Sequence, residues 1–150
     1  MADLRELYQE VILDHQRKPR NFHKPDHANR HADGYNPLCG DKVSVYIQFE
    51  NGIVKDIGFL GSGCAISTAS ASMMTESLRG KTQAEAETIF KRFHDLVTGN
   101  SSIEADAAEL GKLAAFSGVR EYPMRVKCAS LPWHTMRAAM DERRETVATE

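Results

Sequence analysis

The sequence contains three cysteines, Cys39, Cys64 and Cys128, and an aspartate, Asp41, stands two residues after the first of them. Three thiolate sulfurs and one carboxylate oxygen can close a tetrahedral zinc site. Asp41 is the best oxygen donor, because residues two apart in an extended segment point to the same side. The cysteines form no C-x-x-C pair, and buried free cysteines are common as small apolar side chains. Spacing alone therefore leaves a metal site and three buried thiols both open.

Each cysteine is predicted to lie at a junction between two elements of structure. Cys39 precedes a strand, Cys64 separates a strand from a helix, and Cys128 separates a loop from the last helix. Loop ends on a rigid scaffold are frequent positions for functional residues. A helix N-terminus also favours a negative charge, so we expect Cys64 and Cys128 to be stabilised there as thiolates.

The hydrophobic pattern predicts an α+β fold, in which a small antiparallel sheet of about three strands has helices packed on one face. Apolar and polar residues alternate from Val43 to Phe49, Asn51-Gly52 is typical of a tight hairpin turn, and the returning strand is Ile53 to Leu60. A further strand is predicted near His31 to Tyr35. Helices are predicted over Asp3 to Asp14, Ala65 to Leu78, Gln83 to Val97, Ala105 to Phe116 and Ser130 to Arg144. A loop bracketed by Gly118 and Pro123 is predicted before the last helix, and Pro132 is predicted to lie in the first turn of that helix.

Length, charge and hydropathy indicate the class of protein. The 150 residues fit a single domain, 1–150, with a charged tail from about 141 to 150. The formal net charge of −2 offers no basic surface for nucleic acid. No apolar run approaches the ~20 residues of a membrane span, and the charged N-terminus lacks a signal-peptide core. We therefore expect a cytoplasmic protein with no nucleic-acid or membrane partner.

Three histidines, His23, His27 and His31, recur every four residues, as metal ligands on one helix face would. Pro25 and the Asp33-Gly34 turn signal argue against a continuous helix over this segment. The pattern therefore does not favour a second metal site, and it leaves the role of the series open.

Three motifs together resemble the SufU/IscU/NifU N-terminal family. They are Asn36-Pro-Leu-Cys-Gly-Asp41, Gly61-Ser-Gly-Cys-Ala-Ile-Ser67 and Arg125-Val-Lys-Cys128, and the similarity extends from about Leu4 to Met140. Two features resemble the SufU branch of that family. Lys127 stands where IscU-type scaffolds carry a histidine before the third cysteine, and extra sequence separates the second cysteine from the third.

The resemblance implies an IscU-like fold and a zinc-dependent sulfurtransferase for iron–sulfur cluster assembly. Such a protein accepts persulfide sulfur from a pyridoxal-phosphate-dependent cysteine desulfurase of the SufS type, and downstream Suf scaffold proteins are its further partners. By analogy, Cys39, Asp41, Cys64 and Cys128 hold Zn²⁺, and Cys39 is the sulfur acceptor. Arg125, three residues before Cys128, is a candidate to pair with a thiolate or persulfide. With Cys39 and Asp41 it forms the predicted catalytic group. The alternative is that Arg125 is a solvated surface arginine.

Two other functions compete with the sulfurtransferase. In the first, the same residues ligate iron, and the chain is a scaffold on which a [2Fe–2S] cluster is assembled and transferred. In the second, the zinc is structural and no turnover occurs. Lys127 in place of a histidine favours the sulfurtransferase over the scaffold.

Overall fold

The computed structural model describes residues 4–100, 110–142 and 147–148. The elements confirm the predicted α+β class. Among the described residues, no helix combines the length and the apolar character needed to cross a membrane. In chain order the elements are α1 (Leu4–Arg17), β1 (Arg30–Asn36), β2 (Asp41–Glu50), β3 (Ile53–Ser62), α2 (Ala65–Leu78), α3 (Gln83–Thr98), a 3-10 helix (Gly111–Glu121), α4 (Pro123–Met140) and β4 (Val147–Ala148).

The strands form one four-stranded sheet in the order β3-β2-β1-β4. β2 pairs antiparallel with both β1 and β3, as the alternation and the hairpin signal predict. Asn51 and Gly52 both have positive φ, 55° and 76°, which is the conformation that favours this residue pair in a two-residue turn. The fourth strand departs from the predicted antiparallel sheet, because β4 pairs parallel with β1. Its two residues are too few to produce a periodic signal.

One face of the sheet carries the core. Val43, Val45 and Ile47 of β2 are buried, whereas Ser44 and Tyr46 between them are not. α4 packs on β1 and β2, and α2 packs on β3 and α4. The buried side chains among the first eight residues of α2 are small, so this helix can lie close to its neighbours; they are Ser67, Ala69, Ser70, Ala71 and Ser72.

The last helix begins earlier than predicted. α4 starts at Pro123, which occupies the first turn after the N-cap Tyr122. Proline suits that position because the backbone N–H that it lacks would have no partner in the first turn of a helix. The predicted start near Ser130 and the predicted Gly118–Pro123 loop are therefore wrong, and Cys128 lies within the second turn of the helix.

Pro132 consequently lies inside α4. It cannot donate to the carbonyl of Cys128, four residues earlier, so the helix is weakened next to this cysteine. The predicted Ala105 to Phe116 helix falls partly on residues 105–109, which lie outside the described residues. Its remainder belongs to the 3-10 helix Gly111–Glu121, which also covers most of the predicted loop.

A buried histidine joins α1 to α2. The backbone N–H of Arg20 donates to Ser72 Oγ (2.8 Å), and Ser72 Oγ lies 2.7 Å from His15 Nδ1. On the other side of the ring, His15 Nε2 lies 3.4 Å from Glu76 Oε1. Burial lowers the pKa of His15 below its usual 6.5, and the positive charge of Arg20 adds to this effect.

The buried imidazole should make stability depend on pH. Below about pH 6.5 the unfolded chain binds a proton at His15 that the folded chain does not bind, so the free energy of unfolding should fall as the pH falls. The slope from one such group is at most about 1.4 kcal/mol per pH unit. Urea denaturation at pH 7.5 and pH 5.5 measures it. His15→Gln should reduce the slope and His27→Gln, at an exposed histidine, should not; equal slopes in all three proteins would contradict this.

Candidate metal centre

The tip of the β1–β2 hairpin positions the first cysteine. Asn36 and Asp41 are the last paired residues of the two strands, and Cys39 lies in the turn between them. The N–H of Gly40 donates to the carbonyl of Asn36 (2.8 Å), and Gly40 has φ +73°, a conformation in which other residues are strained. The turn thus holds the half-buried thiol of Cys39, and the fully buried carboxylate of Asp41 follows two residues later.

The second cysteine is the N-cap of α2, which confirms its predicted place at a helix N-terminus. The side chain of Cys64 accepts a hydrogen bond from the backbone N–H of Ser67, with Sγ 3.5 Å from the nitrogen. Its own N–H donates to Asp41 Oδ1 (2.8 Å), and its Sγ lies 3.9 Å from Asp41 Oδ2. Asp41 therefore links the hairpin to the start of α2.

The third cysteine comes from the buried side of α4. Cys128 Sγ lies 3.4 Å from Cys39 Sγ, and the amide Nδ2 of Asn36 donates to it across 3.7 Å. The ligand atoms of Cys39, Asp41 and Cys128 all lie within 4.8 Å of one another. These three residues together with Cys64 are called the cysteine–aspartate cluster below.

Electrostatics in the cluster favour a cation. Burial raises the pKa of the Cys128 thiol far above its usual range, and hydrogen bonds to Asp41 and Cys39 raise it further. Cys128 is entirely buried, so its thiolate would need a compensating positive charge close by. A metal ion bound among these side chains would supply that charge.

One positive side chain already stands at the cluster. The charge of Cys64 raises the pKa of the Arg125 guanidinium most, and the neighbouring Cys128 and Cys39 raise this pKa further. Arg125 is exposed and lies in the first turn of α4. A guanidinium in this place can pair with a sulfur anion from the solvent side.

The donor set fits a thiophilic metal ion. Three sulfurs and one carboxylate oxygen, supplied by a hairpin, a helix N-cap and a second helix, are sufficient for four-coordinate binding. Asp41 and Cys128 are buried, whereas Cys39 and Cys64 are half-buried, so the cluster is partly exposed at the protein surface.

Comparison with known proteins identifies the family. Residues 7–129 match the family described as NifU-like N terminal domain. The chain belongs to this family.

Relatives of this NifU-like domain have names from iron–sulfur cluster biogenesis. The zinc-dependent sulfurtransferase SufU of Bacillus subtilis is 39% identical over 135 residues, covering 90% of each chain. The iron–sulfur cluster assembly scaffold protein IscU of Streptococcus pyogenes is 35% identical, covering 93% of this chain and 86% of that protein. A crystal structure of an iron–sulfur cluster assembly scaffold protein for the SUF system from Fervidobacterium islandicum superposes with a TM-score of 0.80 at 37% identity, covering 87% of this chain and 94% of that chain. The resemblance to the SufU/IscU/NifU family is thus confirmed.

The structure of this NifU-like domain brings the predicted site residues close together but places one of them differently from the prediction. The structure brings together Cys39, Asp41 and Cys128, places Cys64 against Asp41, and sets Arg125 beside the thiols. It does not place Cys128 at a helix N-terminus, so the expected stabilisation by the helix dipole is wrong for that cysteine.

The histidine series lies on no common helix. The segment before β1 is irregular, and His31 lies in β1, where its ring stacks on Tyr46 (4.7 Å between centroids) and its Nε2 contacts Asp33 (2.9 Å). His31 therefore contacts its neighbours on the exposed face of the sheet.

Asn36 is a site residue that the sequence did not predict. Its side chain is entirely buried, its Oδ1 accepts the N–H of Leu38 (3.1 Å), and its Nδ2 points to Cys128 Sγ. An Asn-Pro pair ahead of a cysteine is a recognisable signal for such an Asx-type turn. The contact with Cys128, 92 residues away, carries no local signal.

A methyl group at Gly63 should disturb the cluster. A Cβ added there would lie 2.7 Å from Asp41 Oδ1, the oxygen that accepts the Cys64 N–H. We expect Gly63→Ala to displace the carboxylate and to lower the free energy of unfolding by about 1–3 kcal/mol, together with weaker metal binding. Gly118→Ala is the matched control, because nothing lies within 4 Å of an added Cβ there. Thermal unfolding and metal titration of both variants measure the difference, and equal effects would contradict the assignment.

Proposed function

We propose that this chain is a zinc-dependent sulfurtransferase that accepts persulfide sulfur from a cysteine desulfurase for iron–sulfur cluster assembly. The observation that carries the proposal is the convergence of three thiols and one buried carboxylate at one end of the sheet. The SufU-named relative, matched over 90% of both chains, supports zinc as the ion and sulfur transfer as the reaction. A desulfurase of the SufS type and downstream Suf scaffold proteins are the partners this function requires.

The four residues of the cysteine–aspartate cluster would hold the zinc ion. When bound, zinc is a redox-inert ion that keeps coordinated thiols deprotonated at neutral pH. Asp41 keeps its place by accepting the Cys64 N–H, and the Asn36 amide supports Cys128. The buried surroundings of Cys128 exclude water from that side of the cluster.

Cys39 is the proposed sulfur acceptor. Its thiolate attacks the outer sulfur of the desulfurase persulfide, so that a new S–S bond forms on Cys39 and the bond to the desulfurase cysteine breaks. The desulfurase cysteine leaves as a thiolate with the electron pair of the broken bond, and no external oxidant or reductant is needed. Arg125 stands where its charge can stabilise the terminal sulfur of the new persulfide.

A cluster-assembly scaffold is the second candidate. The scaffold name of the Streptococcus pyogenes relative supports it, and the same thiols could ligate iron. Lys127 precedes Cys128 in this chain, where the scaffold branch carries a histidine, and this residue favours sulfur transfer.

Metal analysis combined with a desulfurase assay separates these functions. For a sulfurtransferase, we expect about one zinc per chain after purification without added metal, an S₃O coordination shell by X-ray absorption, and faster desulfurase turnover when the protein is added. Stoichiometric iron with the visible absorption of a cluster would instead support the scaffold. Stoichiometric zinc without any effect on the desulfurase would support a purely structural site.

A further inference from the structure

A groove is lined by residues of α3 and α4, which pack against each other, away from the cysteine–aspartate cluster. Its volume is about 600 Å³, which lies within the range of pockets for small molecules. Its α4 residues, His134 and Arg137, follow Cys128 by roughly 9 and 14 Å along the helix axis. The side chains that matter for its chemistry are Glu87, Phe90, Lys91, His94, His134 and Arg137.

The groove is positively charged, and its two cationic side chains are not paired with acidic groups in the described part of the chain. Among the residues that the structure describes, the ion pairs all involve other side chains, so neither Lys91 nor Arg137 has an acidic partner there. Glu87 is the acidic residue among those lining the groove, which leaves a formal charge of 2 − 1 = +1 before any histidine is protonated. An exposed pair of unmatched cations beside one carboxylate favours an anionic occupant.

Two imidazoles and a phenyl ring shape the floor of the groove. The ring centroids of His94 and His134 are 6.0 Å apart, and that of His134 is 5.1 Å from Phe90 in an edge-to-face arrangement. The guanidinium carbon of Arg137 lies 5.6 Å from the Phe90 centroid, so the arginine is already oriented over the ring. Each imidazole can donate an N–H to an oxyanion, and the aromatic floor can pack against an apolar group.

The pKa of His134 is affected by the same positive charges. Burial lowers the pKa of His134, and the positive charges of His94 and Arg137 lower it further. A bound anion would offset these charges, so binding and protonation of the imidazole should support one another.

We propose that the α3–α4 groove binds a small organic phosphate, whose oxyanion is held by Lys91 and Arg137 with N–H donors from His94 and His134, and whose apolar part packs on the floor formed by Phe90. Arginine recognises phosphate through paired hydrogen bonds and lysine adds a point charge, so the two side chains complement each other. The site is independent of the sulfur chemistry proposed above.

The test is an NMR titration of the full, metal-loaded chain with phenyl phosphate. Saturable shifts of backbone and imidazole signals are expected in α3 and α4 around the groove. The double variant Lys91→Gln/Arg137→Gln should bind at least about tenfold more weakly, because two charge-assisted contacts are lost. The matched control Arg17→Gln/Lys18→Gln removes the same charge from the end of α1 and should change the affinity by less than about twofold.

Parallel titrations with inorganic phosphate and benzoate define the ligand class. Weaker binding of both than of phenyl phosphate supports an organic phosphate. Binding of inorganic phosphate equal to that of phenyl phosphate overturns the role of the aromatic floor, and tighter binding of benzoate overturns phosphate in favour of a carboxylate. Shifts confined to the cysteine–aspartate cluster, the absence of saturable shifts at the groove, or equal weakening by the control variant would overturn the site itself.

Discussion

Removal of the proposed zinc ion is expected to destabilise this protein strongly. The cysteine–aspartate cluster joins the β1–β2 hairpin, the N-terminus of α2 and the second turn of α4, which are distant in sequence. A structural zinc site can contribute on the order of 10 kcal/mol of binding free energy. Without the ion, the buried Cys128 and Asp41 side chains face each other with no compensating charge between them. We expect the melting temperature to fall by at least about 10 °C, since 1 kcal/mol corresponds to roughly 2–4 °C for a chain of this size.

The measurement is differential scanning calorimetry of the same preparation before and after treatment with a chelator, with the metal content determined in both samples. Cys128→Ala supplies the control, because a variant that has already lost the ion should melt at a low temperature and should not respond to the chelator. A melting temperature that stays constant after the metal is shown to be gone would mean that the cluster does not support the fold.

The second large effect is expected from Cys39→Ala, which should abolish sulfur acceptance. Cys128 is entirely buried, and the sulfur of Cys64 is engaged as the cap of α2. Cys39 instead lies in a surface turn next to Gly40, where the thiol can move towards a partner without disturbing a helix. Loss of the attacking thiol should reduce sulfur transfer on the order of 100-fold or more, because the covalent step itself is removed.

Mass spectrometry of the metal-loaded protein after incubation with desulfurase and cysteine locates the added sulfur by peptide. In the wild type we expect it on Cys39, and in Cys39→Ala on none of the cysteines, although this variant should retain a substantial fraction of its zinc. Asp41→Ala is the comparison, because it keeps all three thiols. It should still form the Cys39 persulfide, with its reactivity altered more than its folding. Sulfur on Cys64 or Cys128 of the wild type, with Cys39 unmodified, would falsify this assignment.

Local signals were sufficient to predict most of the fold. The alternation along β2 and the Asn51-Gly52 turn each act within a few residues, and each is present as predicted. The start of α4 was harder, because Pro123 and Pro132 both suit the first turn of a helix. Packing of α4 on the sheet favours the longer helix, and sequence alone offers no measure of that packing.

The candidate site divides in the same way. The sequence by itself determined the residue types and motifs: three thiols, a carboxylate two residues after the first, and a helix start at Cys64. Only the tertiary structure decided that Cys39 and Cys128 lie 3.4 Å apart, that Asp41 is buried, and that Asn36 supports Cys128. The physical reason is that these contacts span about ninety residues of chain and depend on how α4 packs against β1 and β2. The spacing of residues within a motif predicts only local structure, such as one turn or one hairpin. The convergence of a hairpin tip, a helix cap and a second helix results from burial of the shared core.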